Sequence, residues 1–450
     1  MKLRPYQRQD IVALASYNAV GCFNEQRTGK TPTALMYTQI KRANKVLIVC
    51  PASVVLKWKE EFKLWLQRDC IACIGTHKQQ AKAIEQWTYG LVISYDSLKE
   101  TKNSLGHVAA ILKQKPDAII VDEAHRIKNY RSATAKAVFK FKKVPKKMVL
   151  TGTPAPNKQY EVWSLLHFLY PDIFPAYWGF INEYFTTKIE RMGARTYTQI
   201  GTFVSKEKEQ KLLRFLSVIS TSHKRKDVMP WLPDKDYERI RLEPTPAQKK
   251  YLKSLLEYYE VEGTDVITQG TLDRLVRYRQ ICLHPGLLEL AGSSPKLDYL
   301  KQYLKDYPER SVVVFTRFTS MIHLMKQDPA FKDAGVIIGQ TSIKKRTELM
   351  QAFQKKKFNV LLAQTDTCKE GVTLDTAECI VFLDKYPPAS DIQQAEDRFV
   401  ATTEQKANKA HTIIELILKG TYDEELYTLV QNNISECDVI NKFKAYLKGD

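Results

Sequence analysis

The sequence predicts an α/β protein with two doubly wound parallel-sheet lobes and a mainly helical insertion and linker between them. Short apolar runs rich in β-branched residues recur in two separate parts of the chain, and an amphipathic stretch follows most of them. The intervening part is rich in aromatic and charged residues and has helical periodicity. We therefore expect a first lobe at 1–170, the helical segment at 171–290 and a second lobe at 291–450.

Continuous apolar runs are typical of parallel strands that are buried on both faces. In the first lobe the runs are AVGCF (19–23), KVLIVCP (45–51), GLVISY (90–95), AIIVDEAH (118–125) and KMVLTGT (147–153). In the second lobe they are SVVVFTR (311–317), AGVIIG (334–339), NVLLAQT (359–365) and CIVFLD (379–384).

The segment between the lobes has its own signals. Helical periodicity predicts helices at 206–219 and 247–259, and 188–201 predicts a hairpin that turns near Gly193. Prolines at 230, 233, 244 and 246 indicate a linker. From Tyr422 onward the chain is predicted to be helical and to pack back on a lobe.

The composition favours a polyanionic partner. The 450-residue chain has 69 Lys and Arg against 50 Asp and Glu, a net charge of +19. The excess is spread along the chain, which suits a long nucleic-acid groove better than a binding tail. Apolar runs are too short to span a membrane and the N-terminus is unlike a signal peptide. We expect a cytoplasmic monomer, located in the host cytoplasm if the chain is phage-encoded.

Cysteine spacing argues against a structural metal. Cys70 and Cys73 form the one C-x-x-C among eight cysteines, and no second pair or nearby histidine pair completes four zinc ligands. We expect reduced thiols.

A phosphate-binding loop is predicted at NEQRTGKT (24–31). A short strand precedes it and a helix follows it, which is the context that phosphate binding requires. Loop amides and the helix dipole hold phosphates, Lys30 neutralises them, and Thr31 can ligate Mg²⁺.

Two carboxylates are predicted to complete the chemistry. Asp122 and Glu123 follow a buried strand, and ligands bind at the carboxyl ends of strands in doubly wound sheets. Asp122 can hold Mg²⁺, and Glu123 can orient and deprotonate an attacking water.

These motifs resemble those of superfamily 2 helicases and translocases, and most closely their SNF2-like branch. The resemblance covers nearly the whole chain in order. It runs through LRPYQ (3–7), LIVCPASVVLKWKEEF (47–62), DEAHRIKN (122–129), LTGTPAPNKQYEVWSLLHFLYPDIF (150–174), HKRKDVMPWLPDKDYERIRLEPTPAQKKYL (223–252), RYRQICLHPGLL (277–288), SPKLDYL (294–300), VVVFTRFTSMIHLM (312–325), VLLAQTDTCKEGVTLDTAECIVFLD (360–384) and QQAEDR (393–398).

The resemblance implies two RecA-like lobes that bind ATP and Mg²⁺ in the cleft between them, with nucleic acid across the top of both. It implies nucleotide contacts, with Gln7 reading adenine, and a catalytic Arg398 beside Lys30, Asp122 and Glu123. The implied nucleotide-binding residues are Gln7, Asn24, Thr28, Gly29, Lys30, Thr31, Gly371 and Gln394. By the same analogy, His125, Thr151, Gly152 and Thr153 couple the ATP site to the nucleic-acid groove.

Several positions depart from the family pattern. Asn24 replaces the first loop glycine, and Arg27 either points to solvent or adds charge beside the phosphates. Ala401 stands where a second arginine is usual, which leaves three alternatives: Arg398 alone suffices, another basic group substitutes, or hydrolysis is slow. Lys369 is either loop variation or a phosphate contact.

DNA contacts are expected at strand ends on the side that faces the groove. The candidates are Ser53, Lys57, Ser94, Tyr95, Thr316, Arg317, Thr365 and Lys369. Each is alternatively a helix cap or a surface residue. Backbone contacts of this kind imply little sequence preference. The hairpin around 191–195 is either a wedge at a duplex junction or an exposed basic loop.

The expected function is ATP-dependent translocation on duplex or branched DNA, leading to fork or junction unwinding or branch migration in replication, recombination or repair. The alternatives are a remodeller that displaces proteins from DNA without unwinding, a weakly hydrolysing DNA clamp, and an RNA helicase.

Overall fold

The computed structural model describes residues 2–100, 106–155, 158–192, 195–231, 235–261, 263–367, 374, 376–386, 388–397, 412–432 and 436–447. The chain divides into two compact units, Met1–Pro230 and Trp231–Asp450. Both are α/β, which confirms the predicted fold class. Among the described residues, no helix has the length and apolar character needed to cross a membrane.

The described part of unit 1 contains a seven-stranded parallel sheet in the order β3-β4-β2-β5-β6-β1-β9. Its strands are β1 (Ala19–Cys22), β2 (Val46–Cys50), β3 (Cys70–Cys73), β4 (Gly90–Ser94), β5 (Ala118–Val121), β6 (Lys146–Leu150) and β9 (Ser220–Thr221). Every residue of β2, β4 and β5 is buried. Because side chains alternate along a strand, Leu47 packs in one apolar core and Ile48 in another, on opposite faces of the sheet.

Helices cover both faces of this sheet. They are α1 (Pro5–Leu14), α2 (Lys30–Ile40), α3 (Val55–Leu66), α4 (His77–Glu85), α5 (Tyr95–Leu98), α6 (Val108–Lys113), α7 (Ala133–Phe139), α8 (Trp163–Leu169), α9 (Tyr177–Tyr184), α10 (Lys206–Ile219) and α11 (Arg225–Val228). The predicted helix at 206–219 is α10, which begins where the Ser205 side chain accepts a hydrogen bond from Lys208 N.

The predicted hairpin forms from β7 (Phe185–Met192) and β8 (Arg195–Phe203), which pair antiparallel in a separate two-stranded sheet. Its base packs through Phe185 and Phe203, whose ring centroids are 4.5 Å apart. Ile189 is 75% exposed farther along the hairpin. The predicted turn at Gly193 lies outside the described residues.

The described part of unit 2 contains a six-stranded parallel sheet in the order β10-β15-β14-β11-β13-β12. Its strands are β10 (Asp236–Leu242), β11 (Val312–Thr316), β12 (Gly335–Ile337), β13 (Val360–Gln364), β14 (Cys379–Phe382) and β15 (Thr412–Leu418). Val313 and Val314 point into separate apolar cores, so this sheet is also covered on both faces.

The α-helices in the described part of unit 2 are α12 (Pro246–Tyr258), α13 (Thr271–Leu283), α14 (Pro295–Asp306), α15 (Thr319–Gln327), α16 (Ile343–Gln354), α17 (Ala389–Asp397), α18 (Tyr422–Gln431) and α19 (Glu436–Tyr446). The predicted helix at 247–259 is α12, which Thr245 and Gln248 cap reciprocally. Helices α12 and α13 share one apolar core with α18 and α19.

The division between the units therefore falls within the predicted middle segment. Its first part, through α10 and β9, packs on the sheet of unit 1, because Leu212 and Ile219 belong to that unit's core. Its second part, from β10 onward, packs on unit 2. The expected boundaries at 170 and 290 follow composition, whereas the observed division at 230 follows where apolar side chains are buried.

Strands β3, β9, β10 and β15 were not among the predicted runs. Strand β9 is only two residues long. Strand β10 is largely exposed and rich in charged residues, so its sequence resembles that of a linker. Strand β10 lies at the edge of its sheet, where charged side chains reach solvent.

Candidate nucleotide site and nucleic-acid interface

The loop between β1 and α2 has the conformation that its glycine predicts. Gly29 caps the amino end of α2 with φ of 84°, in the left-handed region that favours glycine. A Cβ at this position would lie 2.3 Å from Gln7 Nε2. The backbone conformation therefore favours glycine, and a larger residue would also displace the Gln7 side chain. The eleven-residue α2 begins at Lys30, and its positive dipole end lies at the loop.

Lys30 is held over this loop by neutral acceptors. Its ammonium donates to Asn24 O at 2.9 Å and to Glu25 O at 3.2 Å. The Thr28 hydroxyl also donates to Glu25 O, at 2.7 Å. Because carbonyl oxygens do not cancel the charge of an ammonium, Lys30 retains a positive charge for an anion at the loop.

Helix α1 supports the loop from beneath. Gln7 is buried, and its amide nitrogen donates to Gly29 O at 3.0 Å and to Thr28 O at 3.3 Å. Its Oε1 accepts from Arg4 N at 2.8 Å, and the Tyr6 hydroxyl donates to Thr28 O. Gln7 thus fixes the loop backbone. The implied contact with adenine remains a prediction, and it would require Gln7 to exchange some of these hydrogen bonds.

Asn24 has a structural role at the position where the family usually has glycine. Its Nδ2 donates to Asp10 Oδ2 at 3.0 Å, and its Oδ1 accepts from His223 N at 3.0 Å. The His223 ring lies 2.7 Å from Asp10 Oδ1, and Arg225 N donates to Glu25 Oε2 at 2.7 Å. The buried Asn24 side chain therefore joins the loop to α1 and to the chain that follows β9.

Asp122 follows β5 at the carboxyl edge of the sheet. Its Oδ2 accepts from Trp58 Nε1 at 2.8 Å, and its Oδ1 accepts from Glu123 N at 2.9 Å. Desolvation and the neighbouring Glu123 carboxylate raise the pKa of Asp122 to about 7, against the opposing effects of the Trp58 hydrogen bond and the Lys30 charge. The charges of Lys30 and Asp122 therefore interact, and the two groups belong to the same site.

The predicted coupling residues lie between Asp122 and the loop, because β6 lies between β5 and β1. His125 Nδ1 is 3.4 Å from Glu123 Oε2 and 3.3 Å from Thr151 Oγ1. Thr151 Oγ1 also accepts from Thr153 N at 3.1 Å. A Cβ on Gly152 would lie 3.6 Å from Asn24 O, so this segment contacts the loop backbone.

The donor set fits a magnesium nucleotide. An ammonium and a helix amino end suit phosphate oxygens. The Asp122 carboxylate and the Thr31 hydroxyl are oxygen ligands of the kind that Mg²⁺ prefers. A cation at Asp122 would favour the ionised carboxylate, which offsets the raised pKa of this group.

Burial argues against two of the predicted DNA contacts in unit 1. Ser94 is buried, and its hydroxyl accepts from Ser97 N at 3.1 Å as the cap of α5. Tyr95 is 2% exposed and its hydroxyl donates to Asp122 O at 2.5 Å. Both side chains are used inside the protein, so we no longer propose them as direct contacts. Ser53 is partly exposed and Lys57 is exposed, so both remain candidates.

In unit 2, Thr316 and Thr365 are also buried. Thr316 Oγ1 donates to Asp384 Oδ1 at 2.6 Å, which makes it a structural residue at the end of β11. Arg317 N donates to the same carboxylate oxygen at 3.1 Å, while its guanidinium lies 3.4 Å from Asp366 Oδ2. Arg317 remains a candidate DNA contact.

Buried ion pairs stabilise this part of unit 2. Arg279 donates to Asp384 Oδ2 at 3.0 Å, and Lys296 donates to Asp423 Oδ2 at 2.7 Å. Lys296 is fully buried. Since breaking such a pair leaves an uncompensated buried charge, these residues have a structural role.

Gln394 is partly exposed on α17. The neighbouring Glu396 is buried, and it accepts from Lys235 at 2.9 Å and from Lys385 at 3.1 Å. Desolvation opposes ionisation of Glu396, but these two cations hold its pKa below the ordinary value. Lys369, Gly371, Arg398 and Ala401 lie outside the described residues, so their roles remain predictions.

Two family models match the chain. One, described as "SNF2-related domain", matches residues 20–287, which is more than half of the chain. The other, described as "Helicase conserved C-terminal domain", matches residues 295–400. The chain belongs to the SNF2-related family. This membership confirms the resemblance that the motifs predict.

The similar curated proteins carry longer chains than this SNF2-related protein. "Probable ATP-dependent DNA helicase CHR23" of Arabidopsis thaliana is 25% identical over 92% of this chain and 41% of its own. "ISWI chromatin-remodeling complex ATPase ISW2" of Saccharomyces cerevisiae is 28% identical over 88% of this chain and 37% of its own. A solved structure, "Sulfolobus solfataricus SWI2/SNF2 ATPase core in complex with dsDNA", is also similar. The match covers 96% of this chain and 91% of that chain, at 21% identity and a TM-score of 0.43.

Some residues of the site in this SNF2-related chain were not predicted. Tyr6, Asp10, Trp58 and His223 all contact the loop or Asp122 through hydrogen bonds. Tyr6, Trp58 and His223 lie in motifs that carry the resemblance, but no spacing rule identifies a residue whose partner is 64 or 199 positions away.

Proposed function

We propose that the chain is a DNA-dependent ATPase that uses ATP and Mg²⁺ to translocate on duplex, forked or branched DNA. The observation that supports it most is the meeting of Lys30, Asp122 and the Thr151–Thr153 segment at one edge of the unit 1 sheet. The net charge of +19 supports a nucleic-acid partner. The names of the relatives, which include DNA helicases and chromatin-remodelling ATPases, agree with it.

The residues of unit 1 have distinct roles in this proposal. Bound Mg²⁺ would supply a charge that neutralises the phosphate oxygens. Lys30 and the amino end of α2 bind the phosphates. Asp122 and Thr31 would hold the metal. Glu123 accepts the proton of the attacking water, and His125 orients its carboxylate from 3.4 Å.

The proposed coupling runs through hydrogen bonds that join the nucleotide site to Thr151 and Thr153. A change at Glu123 alters an interaction of the His125 ring, which also contacts Thr151, and thus alters the position of the Thr151–Thr153 segment. Changes of this kind, when they alter the grip of each lobe on DNA, produce movement along the strand.

The central test is ATP hydrolysis with and without duplex DNA. In Lys30→Ala, the loop loses the Lys30 ammonium, which contacts Asn24 O and Glu25 O, so we expect DNA-stimulated turnover to fall by about 100-fold or more. Lys59→Gln, an exposed lysine on α3, is the matched control and should retain wild-type turnover. Undiminished hydrolysis in Lys30→Ala would refute the assignment of the site.

The preferred DNA structure is tested on forks, four-way junctions, simple duplexes, single strands and RNA. Strand displacement on a fork supports unwinding or branch migration, in replication, recombination or repair. The named chromatin-remodelling relatives favour one alternative, a remodeller that displaces bound proteins without unwinding. Loss of a bound protein from a duplex without strand displacement would favour that alternative.

The proposed catalytic role of Arg398 is tested through its neighbour Ala401. An arginine that reaches a transferring phosphoryl group contributes about 10³–10⁵ in rate. A large gain in turnover in Ala401→Arg would show that a missing second arginine limits hydrolysis. If no nucleic acid supports ATP turnover, the DNA clamp would be the remaining alternative.

A further inference from the structure

A cavity of about 770 Å³ opens at the amino ends of β1 and β6. Ala19 and Lys147 line it at the start of these strands, and the segments 142–145 and 169–175 form its walls. The nucleotide site is at the carboxyl ends of the same strands. At roughly 3.3 Å per residue, Lys147 and Thr151 are about 13 Å apart along β6, so the cavity is a separate site.

The cavity is predominantly cationic. Lys142, Lys143 and Lys147 line it, together with the titratable residues His167 and Tyr170 and one carboxylate residue, Asp172. Lys147 is only 6% exposed, and its ammonium donates to Lys142 O at 2.9 Å and to Phe168 O at 3.0 Å. Among the described residues, the hydrogen bonds given for the Lys147 ammonium go to these two carbonyl oxygens, and Asp172 acts on it only as a nearby charge.

A buried ammonium that is hydrogen-bonded only to neutral carbonyls is not fully compensated for its loss of hydration. Burial lowers the pKa of Lys147 to about 8, and the charge of Asp172 offsets this only in part. An anion in the cavity would supply the missing counter-charge and the remaining hydrogen-bond acceptor.

The rest of the lining suits an organic ligand. Val144, Leu169 and Ile173 contribute apolar surface, and prolines at 145, 171 and 175 stiffen the two walls. The volume lies within the range of about 300–1,000 Å³ that is typical of small-molecule sites. A DNA duplex is too wide to enter a cavity of this size and reach the buried Lys147.

We propose that this cavity binds a small organic polyanion through Lys142, Lys143 and Lys147, with carboxylate or phosphate groups on the lysines and its carbon body against Val144, Leu169 and Ile173. This site is independent of the proposed ATPase function. The structure does not distinguish carboxylates from phosphates, so the experiment uses one probe of each type.

The test is calorimetric titration of the full chain with citrate and, separately, with pyrophosphate. Both titrations use the Lys30→Ala variant, which weakens anion binding at the phosphate-binding loop. Lys147→Met keeps the volume of the buried chain without its charge, and Lys143→Gln changes an exposed wall residue. Lys113→Gln, an exposed lysine on α6, is the matched control.

We expect at least one probe to bind, with affinity reduced about tenfold or more in Lys147→Met and Lys143→Gln and unchanged in Lys113→Gln. Citrate keeps a constant charge above pH 7, so its affinity should fall as pH rises from 7 to 9 and Lys147 loses its proton. That decline should be smaller in Lys147→Met. Tighter binding of citrate would indicate that the natural ligand carries carboxylates, and tighter binding of pyrophosphate would indicate that it carries phosphates.

Three results would overturn the proposal. The first is absence of binding of either probe at millimolar concentration. The second is equal affinity in the Lys113→Gln control and in both cavity variants. The Lys143→Gln result is decisive here, because a substitution at an exposed residue leaves the fold intact. The third is loss of duplex DNA binding in the cavity variants without loss of anion binding, which would assign these lysines to the nucleic-acid path.

Discussion

Replacement of Trp58 by Phe should shift the pH dependence of catalysis. Trp58 Nε1 donates to Asp122 Oδ2 at 2.8 Å, and this bond favours the ionised carboxylate. Phenylalanine keeps an aromatic ring in the core and removes the donor. A hydrogen bond to a charged group contributes about 1.5–3 kcal/mol, and one pKa unit corresponds to about 1.36 kcal/mol. The pKa of Asp122 should therefore rise by about 1–2 units.

The assay is kcat/KM for magnesium ATP with saturating duplex DNA between pH 6 and 9.5, since this parameter reports groups of the free enzyme. Metal binding needs the ionised carboxylate, so wild-type kcat/KM should fall as pH drops through about 7. In Trp58→Phe the midpoint should move upward, so that activity near neutral pH is about tenfold lower and recovers at high pH.

Trp65→Phe is the matched control. Trp65 lies on the same helix and donates to Glu61 Oε2 at 3.0 Å, away from Asp122. Its profile should coincide with that of the wild type. An unshifted midpoint in Trp58→Phe, or a loss that is uniform across all pH values, would show that Trp58 acts through packing and not through the charge of Asp122.

Further substitutions test the structural roles assigned above. Asn24→Gly introduces the common glycine but removes two hydrogen bonds of the buried Asn24 side chain, including that to Asp10, so denaturant unfolding should show a loss of about 1–3 kcal/mol and no gain in ATP affinity. Gly29→Ala should weaken ATP binding at least tenfold in a nucleotide titration, because of its φ of 84° and the 2.3 Å approach of the Cβ; unchanged affinity would contradict the loop geometry. Asp423→Ala leaves Lys296 buried and unpaired, which should cost about 3–5 kcal/mol in unfolding experiments, and a loss below about 1 kcal/mol would show that the pair is not structural.

The elements that repeat a simple pattern were predictable. Strands β2, β4 and β5 are apolar at every position, and both faces of their sheet are covered. Helix α10 has the predicted bounds, because Ser205 caps it and its apolar positions follow the helical period. Strand β10 was not predictable in this way, since its pairing with β15 depends on a segment about 175 residues away.

The candidate DNA contacts show a second limit. Ser94, Tyr95, Thr316 and Thr365 lie at strand ends, as predicted, but their side chains are buried. A strand end gives the position of a residue along the sheet. It does not give the direction of its side chain or the partner that the side chain meets, which for Tyr95 is Asp122 O.

The sequence by itself determined the α/β class, the phosphate-binding loop and the acidic strand end, because each depends on neighbours within a few residues. Only the tertiary structure decided which groups hold that site in place. Asn24 meets His223, and Asp122 meets Trp58, across separations that local pattern does not encode. The physical reason is that hydrogen bonding and desolvation depend on distance in space, which the order of strands in the sheet sets.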